Sequence, residues 1–226
     1  MAALKIALTV ISRTALSVGA GGSVGTLADK SIVRDGWNRP IIPGSQVKGK
    51  LRWAAEQLLR GLGKDIPSPF EGREREELPT LVRAIFGSPE QRSPLYFADL
   101  PGFIGAVTQI TALRDSPEQQ QSLIRPSVAL NRHLGTAEEQ RLLFQEVAPE
   151  PMQFHAERAI MGQLPDRHHA ALLWAAIRLT TRWGGAKSRG MGWAEVQAQV
   201  WLDQTLLTDA ELPQAVRELV QSLELR

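Results

Sequence analysis

Residues 29–52 read DKSIVRDGWNRPIIPGSQVKGKLR. The order of residue types lays out a strand, a turn and a helix. Pro40-Ile41-Ile42-Pro43-Gly44 is a short apolar segment closed by a turn, and Ser45 stands where it can cap a helix. Val47, Leu51, Ala54, Leu58 and Leu62 then recur at helical spacing, so this face is core. The helix start is also basic. Lys48 and Arg52 are one turn apart, and Lys50 adds charge beside them. Unpaired N–H groups and the positive pole of the dipole favour phosphate at such an end. The spacing is not that of a Walker loop, where Gly-Lys-Ser/Thr closes the turn, so an NTP-hydrolysing P-loop does not fit. A capped helix with a solvated basic face is the alternative; the density of Gly, Lys and Arg favours phosphate contact.

Working outward, Leu4, Ile6, Leu8 and Val10 alternate with Lys5, Ala7 and Thr9, which predicts a half-buried strand. Residues 17–29 are rich in Gly and Ser and read as a loop. Residues 63–93 read as an insertion, polar and proline-rich at first, with a helical stretch at Leu81–Phe86 ended by Gly87. Leu95-Tyr96-Phe97-Ala98 predicts a strand, and 115–123 a polar surface segment. Residues 126–131 and 141–148 predict two strands of a protruding hairpin over 125–150, with a polar tip at Gly135–Glu139. Phe154–Ile160 predicts a strand, His168–Trp183 a helix, Ala194–Leu202 a strand and Asp209–Leu223 an amphipathic helix. One α+β domain over 1–226 follows, with helices on one side of a mainly antiparallel sheet.

Gly184–Gly192 reads GGAKSRGMG. Four glycines let backbone approach a ligand closely, and Lys187 and Arg189 put cations on that loop. Each glycine loop adjoins a core helix, so both can sit on one edge of the sheet. Asp29 stands out beside such a basic edge. It would repel phosphate unless it binds a metal or handles a proton; capping a turn or pairing with Arg34 is the simpler reading. On the hairpin, Arg125, Asn131, Arg132 and His133 accompany apolar Leu130, Leu134, Leu142 and Phe144. These could wedge between bases, pack on a neighbouring subunit or fill an ordinary core. Trp53, Trp174, Trp183 and Trp201 fall in core elements and read as packing, whereas Trp37 lies in a loop and could stack on a base. His168 and His169 open a helix and read as a capping pair; no metal-ligand spacing involves them.

Charge supports two basic patches. The 226 residues carry a net +2, which excludes a polycationic tail. Yet residues 1–63 hold nine Lys/Arg against three acids, and residues 166–193 hold five against one. These blocks contain the two glycine loops. Cysteine is absent, which excludes disulfides, Cys-zinc sites and thiol catalysis. No apolar run approaches a membrane span, so a soluble, cytoplasmic protein is expected.

The stretch Asp29–Arg52, with Pro-Gly-Ser-x-x-Lys-Gly-x-x-Arg at its end, resembles the signature of the RAMP superfamily. It is most similar to the repeated backbone subunit of type III CRISPR–Cas effector complexes of the Csm and Cmr kinds. The Gly184–Gly192 loop, Ile85-Phe86-Gly87, Leu95-Tyr96-Phe97-Ala98-Asp99 and Ala129-Leu130-Asn131-Arg132 fit the same pattern. The resemblance implies a ferredoxin-like (RRM-related) palm with a helical insertion and a thumb hairpin. It implies crRNA and target RNA as partners, along with further copies of the chain and other effector subunits. Gly44, Ser45, Lys48, Lys50, Arg52, Arg132, Gly185, Lys187, Ser188, Arg189 and Gly190 would contact RNA. Asp29 would be catalytic and a ligand of a divalent metal, Mg²⁺, in target cleavage, although Lys30-Ser31 departs from the Ser-Pro that often follows this Asp. A non-catalytic scaffold or capping subunit, and a stand-alone CRISPR RNA-processing endoribonuclease, are the alternatives.

Overall fold

The alternation at the N-terminus places a strand at the centre of the sheet. In β1 (Ala2–Ser12) Leu4, Ile6, Leu8 and Val10 are buried on the helix side. The computed structural model describes residues 1–19, 28–66, 81–104, 122–208 and 210–224. The other strands are β2 (Ile41–Ile42), β3 (Leu95–Phe97), β4 (Leu100–Phe103), β5 (Leu123–Asn131), β6 (Thr136–Val147), β7 (Gln153–Leu164), β8 (Ala194–Leu202) and β9 (Thr205–Leu206). The helices are α1 (Gly44–Gly61), α2 (Leu81–Phe86), α3 (Arg167–Leu179) and α4 (Glu211–Glu224).

The main sheet runs β2-β4-β7-β1-β8-β9, with β3 also on β7. Leu95–Phe97 pair with Ile160–Gly162, and Gly102–Phe103 with Gln153–Phe154, so β3 and β4 act as one interrupted strand along β7. The central order is then interrupted strand, β7, β1, β8, all antiparallel. Helix α1 links β1 to the interrupted strand, and α3 links β7 to β8. This is a ferredoxin-like α+β fold. Val47, Leu51 and Ala55 of α1 and Leu173, Ala176 and Ile177 of α3 close the core against Ile6, Leu8 and Val10. Among the described residues no helix is long and apolar enough to cross a membrane.

The hairpin forms a separate two-stranded sheet of β5 and β6. Its tip lies at 132–135 rather than at Gly135–Glu139. The Asn131 side-chain oxygen accepts the N–H groups of His133 and Leu134 at 3.0 and 3.1 Å, and Gly135 takes a positive φ of 64°. Asn is suited to this turn because its short side chain mimics a backbone carbonyl. The expected insertion at 63–93 contains α2, but its residues 67–80 lie outside the described residues, as does most of the expected surface segment at 115–123.

Two helix boundaries differ from expectation. Helix α3 stops at Leu179, not Trp183. The Thr180 hydroxyl bonds back to the Ala176 carbonyl at 2.8 Å, and the chain leaves in extended form to pair Arg182 with Trp193. Helix α1 starts at Gly44 with Pro43 as its cap residue, so Ser45 does not cap it and is exposed in the first turn. Trp183 is fully buried and Trp174 partly so, but Trp53 is 63% exposed. Position 53 falls off the Val47, Leu51, Ala54, Leu58 stripe, so the helix turns its indole away from the core.

Candidate nucleic-acid interface

The close approach of two backbones fixes the start of α1. A Cβ on Gly44 would lie 2.1 Å from the Phe97 carbonyl oxygen, so only glycine lets the helix end press on β3. The Gly44 N–H donates to the Asp99 carboxylate at 2.7 Å. The chain thus caps this helix itself, and the expectation that Gly44 offers a free N–H to phosphate does not hold.

The cations of α1 divide between two sides of the helix. Lys48 leans over the Phe97 ring, 6.0 Å from its centroid, and burial, then the Arg52 charge, hold its ammonium below the usual lysine value. Arg52 bonds Glu56 at 2.9 Å and the Gly87 carbonyl at 3.2 Å. It is a brace between α1 and the end of α2 more than a free cation. Lys50 lies on another face, because two residues advance a helix by about 200°. There it meets Lys187 of the glycine loop. Burial and the adjacent Lys187 amine push the Lys50 ammonium down to about 8. The two loops are therefore joined at one place, with like charges in contact. Gln46 adds a second tie, its carbonyl oxygen accepting the Gly184 N–H at 3.3 Å.

The glycine loop is folded tightly. Gly192 has φ +80°, and a Cβ there would lie 2.0 Å from the Trp183 carbonyl oxygen. Lys187–Arg189 form a single 3-10 turn between Ala186 and Gly190, both left-handed. Lys187, Ser188, Arg189 and Gly190 are all exposed on this turn, as is Gly185 just before it. Ser17 holds the loop to the rest of the face. Its carbonyl accepts the Gly185 N–H at 2.6 Å, and its hydroxyl accepts the Gln145 side-chain N–H at the hairpin base, also at 2.6 Å.

Asp29 sits at that hairpin base. Its carboxylate accepts the Phe144 N–H at 2.8 Å, and its own N–H donates to the Phe144 carbonyl at 2.9 Å. The side chain is exposed, and its expected alternative partner, Arg34, bonds Glu146 at 2.6 Å instead. Burial raises the Glu146 carboxyl, but bonds from Arg34, Ser122 and the Ile32 N–H outweigh this and hold it below the usual value. Residues 20–27, which lead into Asp29, lie outside the described residues. Farther out, Val128, Leu130, Leu134, Leu142 and Phe144 expose apolar surface on the hairpin, and Arg132 is exposed at its tip. Arg189 reaches toward the same hairpin, lining with Ser127–Ala129 and Arg141–Leu143 a cleft of about 380 Å³.

The family model of the RAMP superfamily matches residues 9–195, which take in both glycine loops, Asp29 and the hairpin. The chain belongs to the RAMP superfamily. A chain in the cryo-EM structure of the Type III-B Cmr-beta bound to cognate target RNA has the same fold, with a TM-score of 0.59 at 14% identity. The match covers 88% of this RAMP chain and 97% of that one. No curated protein matches.

On this RAMP fold the expected site residues fall into three sets. Lys50, Lys187, Ser188, Arg189, Gly185 and Gly190 gather around the glycine loop. Gly44 is bonded to Asp99 and Arg52 to Glu56 and the Gly87 carbonyl, with Lys48 and Ser45 near them at the start of α1. Asp29 and Arg132 mark the base and the tip of the hairpin. Ser17, Gln46 and Gln145 escaped sequence reading. They carry no charge, and only the fold shows that they bind the loops together. Trp53 could have been found, since its helical phase already sets it beside Lys50, three residues earlier.

A hard divalent ion such as Mg²⁺ takes oxygen ligands, commonly one or two carboxylates plus substrate phosphates and water. Among the described residues no group of three His, Asp or Glu surrounds Asp29. Its exposed carboxylate, held in place by Phe144, fits as one protein ligand of an ion completed by RNA oxygens.

Proposed function

We propose that this RAMP chain is a guide-binding backbone subunit of a type III CRISPR effector complex, and that it cleaves target RNA with Asp29 and a divalent metal. The observation that carries the reading is the meeting of Lys50 and Lys187. Two amines brought together, one from α1 and one from the folded glycine loop, are suited to hold an anion, and a phosphate backbone supplies one at each nucleotide. The superfamily membership and the fold shared with a chain of the Type III-B particle support the same assignment. In this reading crRNA phosphates run along Lys48, Lys50, Lys187, Ser188 and Arg189. Such contacts hold any sequence equally, which suits a subunit whose specificity is carried by its guide.

Target RNA would pass the hairpin, whose apolar residues face a stacked duplex, with Arg132 at the tip on its phosphates. The metal, when bound, stabilises charge on the scissile phosphate. Asp29 orients that ion, and the Phe144 N–H fixes the carboxylate. Other effector subunits and further copies of this chain complete the particle, placed with its RNA in the cytoplasm. A stand-alone processing nuclease is disfavoured by the histidines. His168 and His169 sit at the N-terminal end of α3, about 20 Å along the helix from the glycine loop. There Asp166 accepts both of their backbone N–H groups.

The test is cleavage of target RNA, with Mg²⁺ present, by particles carrying Asp29→Ala. Loss of cutting with retained guide supports the reading. Undiminished cutting overturns the catalytic assignment and leaves a non-catalytic scaffold.

A further inference from the structure

An exposed tryptophan on a helix is costly to leave in water, and Trp53 has particular surroundings. It lines an open cavity of about 420 Å³ with Lys50, Leu179, Arg182 and Lys187. That volume lies in the range of small-ligand sites. Leu179 is itself 55% exposed at the end of α3. Thr180 and Thr181 complete the lining, whose other residues are of two kinds. Trp53 and Leu179 offer flat, apolar surface, whereas Lys50, Arg182 and Lys187 are cations, and no carboxylate is among the lining residues. Arg182 is held rigidly, stacked 3.6 Å from the centre of the Trp193 ring and donating to the Lys187 carbonyl at 3.0 Å.

From this juxtaposition we infer that the cavity is a nucleobase pocket: one base of a bound RNA strand stacks on the Trp53 indole while its flanking phosphates lie on Lys50 and Lys187. This rests on the RNA-binding reading above and extends it from phosphate contact to a base contact. The chemistry is that of single-strand binding, in which aromatic stacking accepts any base and cations track the backbone. Both demands are met within one cavity. An apolar protein neighbour would cover Trp53 but would leave the lysine pair unmatched. The depressed Lys50 pKa agrees, since an anion seated there relieves the repulsion between the two amines.

The experiment compares the full-length chain, Trp53→Ala, Trp53→Phe and Lys187→Gln. Each is titrated with a labelled single-stranded RNA and with the same strand carrying abasic sites. Wild type and Trp53→Phe should bind the intact strand roughly 5- to 100-fold more tightly than the abasic one. Trp53→Ala should bind the two strands alike, near the abasic affinity of wild type. Lys187→Gln should weaken binding to both strands. If Lys187→Gln weakens binding but Trp53→Ala discriminates like wild type, the base pocket is wrong while RNA binding stands. Loss of self-association in Trp53→Ala with unchanged RNA affinity would likewise overturn it, assigning the surface to a protein neighbour. If wild type binds neither strand, the RNA-binding reading fails and the pocket fails with it.

Discussion

The Asp29 carboxylate receives the Phe144 N–H at 2.8 Å, so this exposed acidic side chain at the hairpin base is anchored to the hairpin itself. Any movement of β6 relative to the palm carries Asp29 with it. An anchored carboxylate keeps its direction, which a metal ligand or proton acceptor needs.

Asp29→Asn separates charge from anchoring. The amide oxygen can still accept the Phe144 N–H, so stability should change by less than about 1 kcal/mol. Target cleavage should fall by roughly 10²–10⁴-fold, the usual span for losing a positioned acid–base or metal-orienting group. Thermal unfolding alongside a cleavage time course checks both. Full cutting by Asp29→Asn would remove Asp29 from the chemistry.

Arg52→Gln should act on stability. Its bonds to Glu56 and the Gly87 carbonyl join two helices, and losing a charged bond of this kind costs about 1–3 kcal/mol. RNA affinity of the folded variant should change less than about twofold, far below the tenfold that corresponds to 1.4 kcal/mol. Chemical denaturation with a binding titration decides it. A broad loss of affinity at intact stability would return Arg52 to the phosphate track.

The sequence was most informative where one residue had to do one thing. The alternation of Leu4 to Val10 announced a half-buried strand, and the Val47 to Leu58 spacing announced the core face of α1. The motif glycines were read as room for a ligand, whereas Gly44 and Gly192 make room for the chain's own backbone at Phe97 and Trp183, partners that local pattern does not reveal. What could not be read is the division of the cations. Spacing places Lys48 and Arg52 together, with Glu56 one turn beyond Arg52, but only the tertiary contacts show Arg52 engaged with the Gly87 carbonyl and Lys50 facing Lys187. Asp99 pairs with Gly44 from 55 residues away, and local pattern cannot reveal such a bond.

Two glycines of α1 should respond oppositely to alanine. Gly44→Ala meets the Phe97 carbonyl and should destabilise by about 2–4 kcal/mol or prevent folding. Gly49→Ala meets nothing within 4 Å and should stabilise by roughly 0.5–1 kcal/mol, because alanine loses less entropy in a helix. Melting curves of both variants test this. Equal effects would contradict the packing of α1 on β3.

RNA affinity should depend on pH through Lys50. Its value of about 8 lies below the usual 10.5, so the free protein is charged there below pH 8 and loses that charge above it. Affinity should be flat up to about pH 8 and then fall, with RNA binding accompanied by proton uptake. Folding runs the other way. Between about 8 and 10.5 the unfolded chain binds more protons at this residue, so its contribution to stability rises with pH. Titrations at pH 7 to 9.5, repeated with Lys50→Gln, should show the decline above pH 8 reduced in the variant. An identical decline in both would detach it from Lys50.

The most direct test of the RNA-binding face is the salt dependence of binding in the Lys50→Gln/Lys187→Gln double variant. Removing one cation from a phosphate reduces the slope of log affinity against log salt by about 0.7 for a single strand. The double variant should bind every sequence more weakly, with a slope shallower by about 1.4 than wild type. An unchanged slope, or a weakening confined to particular sequences, would contradict a phosphate track along Lys50 and Lys187.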